Sequence, residues 1–213
     1  MGEGLNEAMP DYPPEPWNLA GDAHLSVWPV PHRRLPRLPA SVTPVTIGGR
    51  AVVVTAWIDY RPPGEMSYHE LLATVAVRRG ARPTGTITEI WVDSEASLAG
   101  GRQLWGIPKE LANLNFTGGS GFTGSASTQR AWIATAAFTS RGGPPVRVPA
   151  AFAIVQSMDG APLASRVASR GRPRLASARW NINPAGPLGY LAGRKPLLSA
   201  QLLDFRIRFG GRA

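Results

Sequence analysis

The chain has 213 residues, of which 43% are hydrophobic and 17% charged, values typical of one globular domain rather than of a disordered chain. It contains no cysteine, which excludes disulfide bonds, a thiolate nucleophile and a zinc–thiolate site. Its formal net charge of +9 is the excess of 23 basic residues, 21 arginines and two lysines, over 14 acidic ones. The arginines are scattered without any nucleic-acid-binding motif, which disfavours nucleic acid as a partner.

Residues 1–22 form the first predicted element, an acidic and proline-rich arm that contains no basic residue. We expect this arm to lie on the surface of a single β-barrel domain that comprises residues 23–213. The start of the chain shows neither the basic region nor the apolar core of a signal peptide, and the later apolar runs are only strand-sized. The sequence therefore favours a cytoplasmic protein without a membrane partner.

Most of the remaining chain consists of short β-like runs separated by glycine and proline. Several runs alternate polar and apolar residues, most plainly Thr86–Val92 and Asp204–Phe209, as half-buried strands do. Turn signals rich in proline and glycine occur at Asp59–Gly64 and Arg141–Pro145. The predicted strands are Ala23–Val30, Ala51–Asp59, Glu70–Arg78, Thr84–Asp93, Arg130–Phe138, Ala150–Gln156 and Leu202–Phe209.

Only one segment favours a helix, a short turn through Glu95–Ala99 that Asp93 or Ser94 can cap. Gly100 and Gly101 are expected to end it. We predict a mainly β fold, a closed antiparallel β-barrel or cone with a few short helices, because many short strands must hide their edges. A barrel of this kind can hold one small ligand in its interior.

The histidines offer no metal site. His24, His32 and His69 stand at no metal-ligand spacing, and no carboxylate cluster completes a set of ligands. Gly118–Gly121 is glycine-rich but lacks the following lysine and the strand-to-helix context of a phosphate-binding loop, so it is predicted to be a turn. We therefore expect neither a metal nor another cofactor.

The two lysines, Lys109 and Lys195, stand out in a chain that uses arginine everywhere else. Arginine provides charge and forked hydrogen bonds, but its guanidinium does not lose a proton to become a nucleophile. Amine chemistry is therefore expected first at these two positions. Composition alone leaves open the alternative that two lysines are simply what the arginine bias left behind.

Lys109 ends a block, residues 101–109, with the pattern Gly-Arg-x-x-x-x-x-Pro-Lys, which resembles the acetoacetate decarboxylase superfamily. The specific part of this resemblance spans residues 67–116. It implies a closed β-cone around a largely apolar cavity, and a homo-oligomer. The other matching segments are Tyr68-x-Glu70, Trp91-Val92-Asp93, Pro16–Leu19 and Asp204–Gly210.

By this resemblance, Lys109 corresponds to the lysine that forms a Schiff base, and Glu70 to a cavity carboxylate that moves protons or orients the substrate. An ordinary lysine ammonium has a pKa near 10.4, so only about one molecule in 2500 is neutral at pH 7. Apolar burial disfavours the charged form and makes the free amine available. The amine then attacks a ketone, and the iminium accepts electrons from a breaking C–C or C–H bond.

The sequence departs from the family pattern at three positions. Glu110 follows the reactive lysine where acetoacetate decarboxylases have a second lysine. The family's arginine that receives the substrate carboxylate falls near Asp22, where no arginine stands, and its second cavity carboxylate falls near Thr55 and is also lost. These departures count against decarboxylation of acetoacetate itself.

The predicted site comprises Lys109 and Glu70 as catalytic residues, with Arg102, Tyr68 and Trp105 as substrate contacts. Each residue also has a structural alternative. Lys109 would be a surface lysine, Glu70 an ion-pair partner of Arg102, Arg102 a brace for backbone carbonyls, and the two aromatic residues part of the core.

His69 precedes Glu70 on one predicted strand, so the two side chains should face opposite sides, and we assign Glu70 to the cavity. The predicted function is a Schiff-base-forming lyase that acts on a small keto acid, by decarboxylation or by aldol and dehydratase chemistry. The alternatives are a non-catalytic barrel that binds a small apolar ligand and, more weakly, an arginine-rich nucleic-acid binder.

Overall fold

The structure, a computed structural model, describes residues 11–79, 83–118 and 121–211. These residues form thirteen strands, one α-helix (α1, Glu95–Trp105) and two short 3-10 helices (His32–Arg34 and Gly189–Leu191). The strands are β1 (Trp17–Pro31), β2 (Thr43–Pro44), β3 (Thr46–Ile47), β4 (Arg50–Tyr60), β5 (Tyr68–Arg78), β6 (Thr84–Val92), β7 (Lys109–Leu111), β8 (Asn113–Thr117), β9 (Phe122–Ser127), β10 (Trp132–Gly142), β11 (Val148–Met158), β12 (Ala161–Ile182) and β13 (Leu198–Phe209).

Seven of the strands form a closed ring. The order of pairing is β11, β6, β5, β4, β1, β13 and β12, and β12 pairs again with β11. Beyond β12 the sheet continues through β10, β9 and β8. The described pairings are antiparallel, except that β6 pairs in parallel with β7 and β11. The predicted mainly β, closed fold is therefore confirmed, and closure removes the exposed edges that open strands would present.

Neighbouring residues of a strand point to opposite faces of the ring, and both faces carry buried apolar side chains. The inner cluster collects buried side chains from every strand of the ring. The outer cluster fills the space between the ring and the β8–β10 extension, which folds back over it. Representative members are Ile58, Ile90, Ile154 and Phe205 in the inner cluster, and Trp28, Trp57, Leu71, Trp91 and Phe138 in the outer cluster.

The prediction for the helix was wrong at its C-terminal end. Ser94 caps α1 by accepting a hydrogen bond from the backbone of Ser97, but the helix continues through Gly100 and Gly101 to Trp105. It ends at Gly106, whose left-handed φ of 62° closes the last turn. Both interior glycines are required by close packing: a Cβ on Gly100 would lie 2.4 Å from the ring of Trp17.

The seven predicted strands match β1, β4, β5, β6, β10, β11 and β13, although most extend further than predicted. β1 begins at Trp17, so the last residues of the predicted arm belong to the sheet. Residues 1–10 of that arm lie outside the described residues. The turn predicted at Gly118–Gly121 joins the paired strands β8 and β9, although residues 119 and 120 are likewise outside the described part. None of the described helices is both long and apolar enough to cross a membrane.

Candidate active site

Two ionisable side chains meet inside the ring. The Nζ atom of Lys109 lies 2.9 Å from Oε2 of Glu70, and each residue is only 3% exposed. The same nitrogen donates a 2.8 Å hydrogen bond to Oγ of Ser97 on α1. Because the pair is shielded from solvent, a proton can pass between the amine and the carboxylate without entering bulk water.

The backbone of Lys109 is held between β6 and the helix. β7 lies beside β6, with Lys109 opposite Ile90. The Nε atom of Arg102 donates a 2.8 Å hydrogen bond to the carbonyl oxygen of Lys109. Gly101 leaves room for the aliphatic part of the lysine, because a Cβ there would lie 2.7 Å from Cδ and 2.8 Å from Cε. The Gly-Arg pair of the motif therefore positions the lysine through both its side chain and its carbonyl group.

Two tyrosines complete the surroundings of Glu70. Tyr60 and Tyr68 lie opposite each other on β4 and β5, and the Tyr60 hydroxyl donates a 3.3 Å hydrogen bond to Oε1 of Glu70. Burial, and secondarily the charge of Glu70, raises the pKa of both tyrosines well above its ordinary value. Both therefore remain protonated at neutral pH, and each oxygen of Glu70 faces a donor.

Aromatic rings also face the amine. Nζ of Lys109 lies 5.1 Å from the ring centroid of Tyr68 and 5.8 Å from that of Trp17. A ring face attracts a cation at this distance. Together with the carboxylate, these rings stabilise a positive charge at this nitrogen.

A cavity of about 370 Å³ extends from Lys109 and Glu70 through the interior of the ring. All seven ring strands contribute to its walls, which are almost entirely apolar. Near the ion pair the walls include Trp17 and Trp105, whose rings meet edge to face at 4.7 Å. The buried amine therefore has open space beside it in which a small molecule can bind.

The other sequence-predicted residues divide between the cavity and its support. Tyr68 and Trp105 line the cavity, and the indole nitrogen of Trp105 donates to Oε2 of Glu15. Arg102 is exposed and is not among the cavity-lining residues. It acts on Lys109 only through the backbone, and Glu70 is ion-paired with Lys109 rather than with Arg102.

His69 lies on the opposite face of β5 from Glu70, as strand alternation predicts. Its Nδ1 atom lies 2.7 Å from Oδ2 of Asp93, outside the cavity.

The positions that depart from the family pattern do not line the cavity. Glu110 is exposed. Asp22 accepts a 2.7 Å hydrogen bond from the guanidinium of Arg61. Thr55 accepts one of 2.9 Å from the indole of Trp28 in the outer cluster. The family pattern has a second lysine, an arginine and a second cavity carboxylate. None of these three side chains brings such a group to the cavity.

Sequence reasoning missed Ser97, Tyr60 and Trp17. Tyr60 could have been found, because a hairpin through the Asp59–Gly64 turn pairs it with Tyr68 on the same face as Glu70. Ser97 could not, because its place beside the amine depends on how α1 packs across the ring.

Comparison with known proteins agrees with this architecture. The model of the acetoacetate decarboxylase family matches residues 5–168. No curated protein sequence matches the chain.

Similar solved structures share the fold at low sequence identity. The acetoacetate decarboxylase from Legionella pneumophila subsp. pneumophila str. Philadelphia 1 is 18% identical, with a TM-score of 0.70 over 97% of this chain and 91% of that chain. The enduracididine biosynthesis enzyme MppR complexed with pyruvate is 20% identical, with a TM-score of 0.66 over 99% of this chain and 96% of that chain. An acetoacetate decarboxylase-like enzyme from Sphingomonas wittichii RW1 is 16% identical, with a TM-score of 0.64 over 92% of this chain and 91% of that chain.

Proposed function

The chain belongs to the acetoacetate decarboxylase family, and we propose that it is a Schiff-base-forming lyase in which Lys109 condenses with the carbonyl group of a keto acid. The observation that carries this proposal is the buried Lys109–Glu70 pair at the end of an apolar cavity. Desolvation of the two charges offsets most of their attraction, so a buried ion pair contributes little to stability by itself. The position of this pair beside empty space therefore favours a chemical role.

The first step is proton transfer within the pair. The ammonium of Lys109 gives a proton to Oε2 of Glu70, which leaves a neutral amine and a neutral carboxylic acid in a medium where charge separation is costly. The hydroxyl groups of Ser97 and Tyr60 remain in contact with the amine and with Glu70, respectively. The pair therefore generates a nucleophile from its resting state without an external base.

The amine then attacks the carbonyl carbon of the substrate. One amine proton moves to the carbonyl oxygen as the C–N bond forms, and Glu70 supplies a second proton. The oxygen then leaves as water, and the nitrogen becomes an iminium. The regenerated carboxylate of Glu70 and the rings of Tyr68 and Trp17 stabilise this cation.

The iminium accepts the electron pair of a neighbouring bond, and an enamine forms. If the bond joins the α carbon to a carboxylate, carbon dioxide leaves; if it is a C–H bond, Glu70 takes the proton. The enamine then takes up a proton or adds to a second carbonyl compound, and water hydrolyses the imine to free Lys109. Both decarboxylation and aldol or dehydratase chemistry fit this sequence of steps.

Borohydride trapping tests the proposal. The protein is incubated with pyruvate or acetoacetate, reduced, digested and analysed by mass spectrometry. We expect the mass of one reduced adduct on the peptide that contains Lys109. The chain offers a matched pair of variants, since Lys109→Arg keeps the charge but removes the nucleophile, whereas Lys195→Arg changes the other lysine.

Trapping should disappear in Lys109→Arg and persist in Lys195→Arg. An adduct on Lys195 alone, or none with any keto acid in the wild-type protein, would overturn the proposal. The second outcome, combined with saturable binding of an apolar molecule, would support the alternative of a non-catalytic binding protein, which the apolar cavity walls also favour.

A further inference from the structure

The cavity continues far beyond the reactive pair. On β5 the cavity-lining residues after Glu70 are Leu72, Thr74 and Ala76, which alternate along the strand. On β4, Ala56 and Val54, the direct partners of Leu72 and Thr74, line the same space. A strand rises about 3.3 Å per residue, so Ala76 lies roughly 20 Å along β5 from Glu70. The space is therefore a channel along two paired strands rather than a pocket confined to the amine.

The volume also exceeds what a short keto acid needs. A water molecule occupies about 30 Å³ of liquid, so 370 Å³ holds about twelve water-sized groups. Acetoacetate has about seven non-hydrogen atoms, which fill little more than half of this volume on the same scale. A molecule that fills the channel must extend from Lys109 well past Leu72.

The distant part is mostly apolar. Its walls include Val54, Leu72, Ala76, Phe152 and Ile154, and the threonines Thr74 and Thr84 add hydroxyl groups but no charge. Among the described residues that line the cavity, Lys109 is the only basic one, so nothing there is placed to receive a charge far from the amine. The distant part therefore fits hydrocarbon and disfavours a second charged group.

The lining side chains are more exposed at the end of the channel that lies away from the amine. Phe152 is 36% exposed, and Ala76 and Val54 are half-buried. A tail that outgrows the channel therefore meets solvent rather than a wall.

We infer that the substrate of this site is a keto compound with an apolar tail, whose carbonyl group reaches Lys109 while the hydrocarbon tail lies along β4 and β5 toward Ala76. This inference rests on the proposed function for the carbonyl end and adds the class of the remainder. The shared chemistry is an acyl chain with a keto group near one end, present both in 3-oxo acids and in the methyl ketones that correspond to them.

A chain-length series on the wild-type protein tests the inference. 3-Oxo acids and 2-alkanones from four to twelve carbons are compared for turnover and for the concentration that half-saturates borohydride trapping at Lys109. Each methylene that enters the channel should improve kcat/KM or half-saturation about fourfold, as expected for transfer from water to an apolar site. The improvement should stop when the tail reaches the more exposed end.

A matched pair of variants locates the tail. Ala76→Phe obstructs the far end, whereas Ala137→Phe makes the same change on β10, where Ala137 is exposed and lines no part of the cavity. Ala76→Phe should reduce the ratio of ten-carbon to four-carbon activity at least tenfold, and Ala137→Phe should leave that ratio unchanged. Thermal unfolding of both variants checks that they are folded.

The outcomes separate this inference from the proposed function. Trapping of short keto acids with no dependence on chain length would overturn the inference and leave the imine chemistry intact. If no compound is trapped, calorimetry with 2-alkanols, which cannot form an imine, decides the matter. Affinity that rises with tail length would support the channel alone, and flat affinity would overturn it as well.

Discussion

The two faces of β4 and β5 differ in how they are filled. On the outer face, Trp57 and Leu71 are fully buried within the outer cluster. On the inner face, the neighbouring residues Glu70 and Leu72 border a cavity of about 370 Å³. One pair of strands therefore supports the fold on one side and leaves room for a ligand on the other. Buried apolar side chains therefore stabilise the fold on the outer face and border open space on the inner face.

The strongest challenge to this comparison is Lys109→Met. Adduct formation should fall at least a thousandfold because the nucleophile is gone. The free energy of unfolding should also fall by about 3–5 kcal/mol, because the variant leaves the buried Glu70 without its partner. Urea denaturation measures this loss.

The double variant Lys109→Met/Glu70→Leu is the control for this experiment. It should recover most of the lost stability, since apolar groups often replace a buried ion pair without cost, and yet remain inactive. If Lys109→Met were as stable as the wild-type protein, the prediction that an unpaired buried Glu70 destabilises the fold would be wrong.

The adjacent leucines of β5 give a sharper contrast between the faces. Leu71 is completely buried in the outer cluster, so Leu71→Ala should lower the free energy of unfolding by about 2–5 kcal/mol. Leu72 is half-buried beside the cavity, so Leu72→Ala should lower the free energy of unfolding by only about 1 kcal/mol. Its main effect should be weaker binding of apolar ketones. Equal destabilisation by the two substitutions would contradict the distinction.

Gly101 tests how closely the helix sets the position of the amine. Gly101→Ala introduces a methyl group within 3 Å of the Lys109 side chain, and kcat/KM should drop by about a hundredfold if the nitrogen moves by about 1 Å. Gly118→Ala is the control, because, its chain neighbours aside, no heavy atom of the described residues lies within 4 Å of the added carbon. Unchanged kinetics in Gly101→Ala would show that the amine tolerates displacement.

The smallest effect concerns a carboxyl group on the outer face. Among the described residues, Glu89 forms hydrogen bonds with the hydroxyl groups of Thr88 and Tyr190, and burial raises its pKa from 4.5 to about 7. Between these values the folded chain holds a proton that the unfolded chain has lost. This contribution to stability is therefore fully present below about pH 4.5 and disappears as the pH rises through 7.

Glu89→Gln should remove that part of the pH dependence, on the order of 1–2 kcal/mol, as followed by urea unfolding between pH 4.5 and 8. Glu110→Gln, at an exposed position, should leave the profile as it is. A wild-type stability that rises across this interval, with the same slope in Glu89→Gln, would contradict the assignment.

The strands that the sequence predicts are those whose two faces differ in polarity or that are apolar throughout. β12 was missed because its 22 residues are rich in arginine and few of them are buried. Its pairing with β10, β11 and β13 holds it in the sheet, and such long-range contacts leave no periodic signal in the local sequence. β8 and β9 are short and rich in small or polar residues, so they too show no periodic pattern from which a strand could be predicted.

The Lys109–Glu70 pair was expected from a motif, but its geometry was not. Contact between residues on β7 and β5 requires the parallel pairing of β6 with β7, which no local pattern encodes. The helix was predicted too short because glycine usually ends a helix, whereas here Gly100 and Gly101 permit contact with Trp17 and Lys109. The homo-oligomer and the cytoplasmic location stay predictions.

The pairing of β1 with β13 determines when the cavity is completed during folding. Trp17 lies opposite Phe209, so the first and last strands of the ring must meet before the cavity has all its walls. Contacts so distant in sequence form slowly, which predicts folding in milliseconds to seconds. A chain whose C-terminal strand has not yet docked therefore lacks a complete cavity, and its Lys109–Glu70 pair is not yet enclosed on every side.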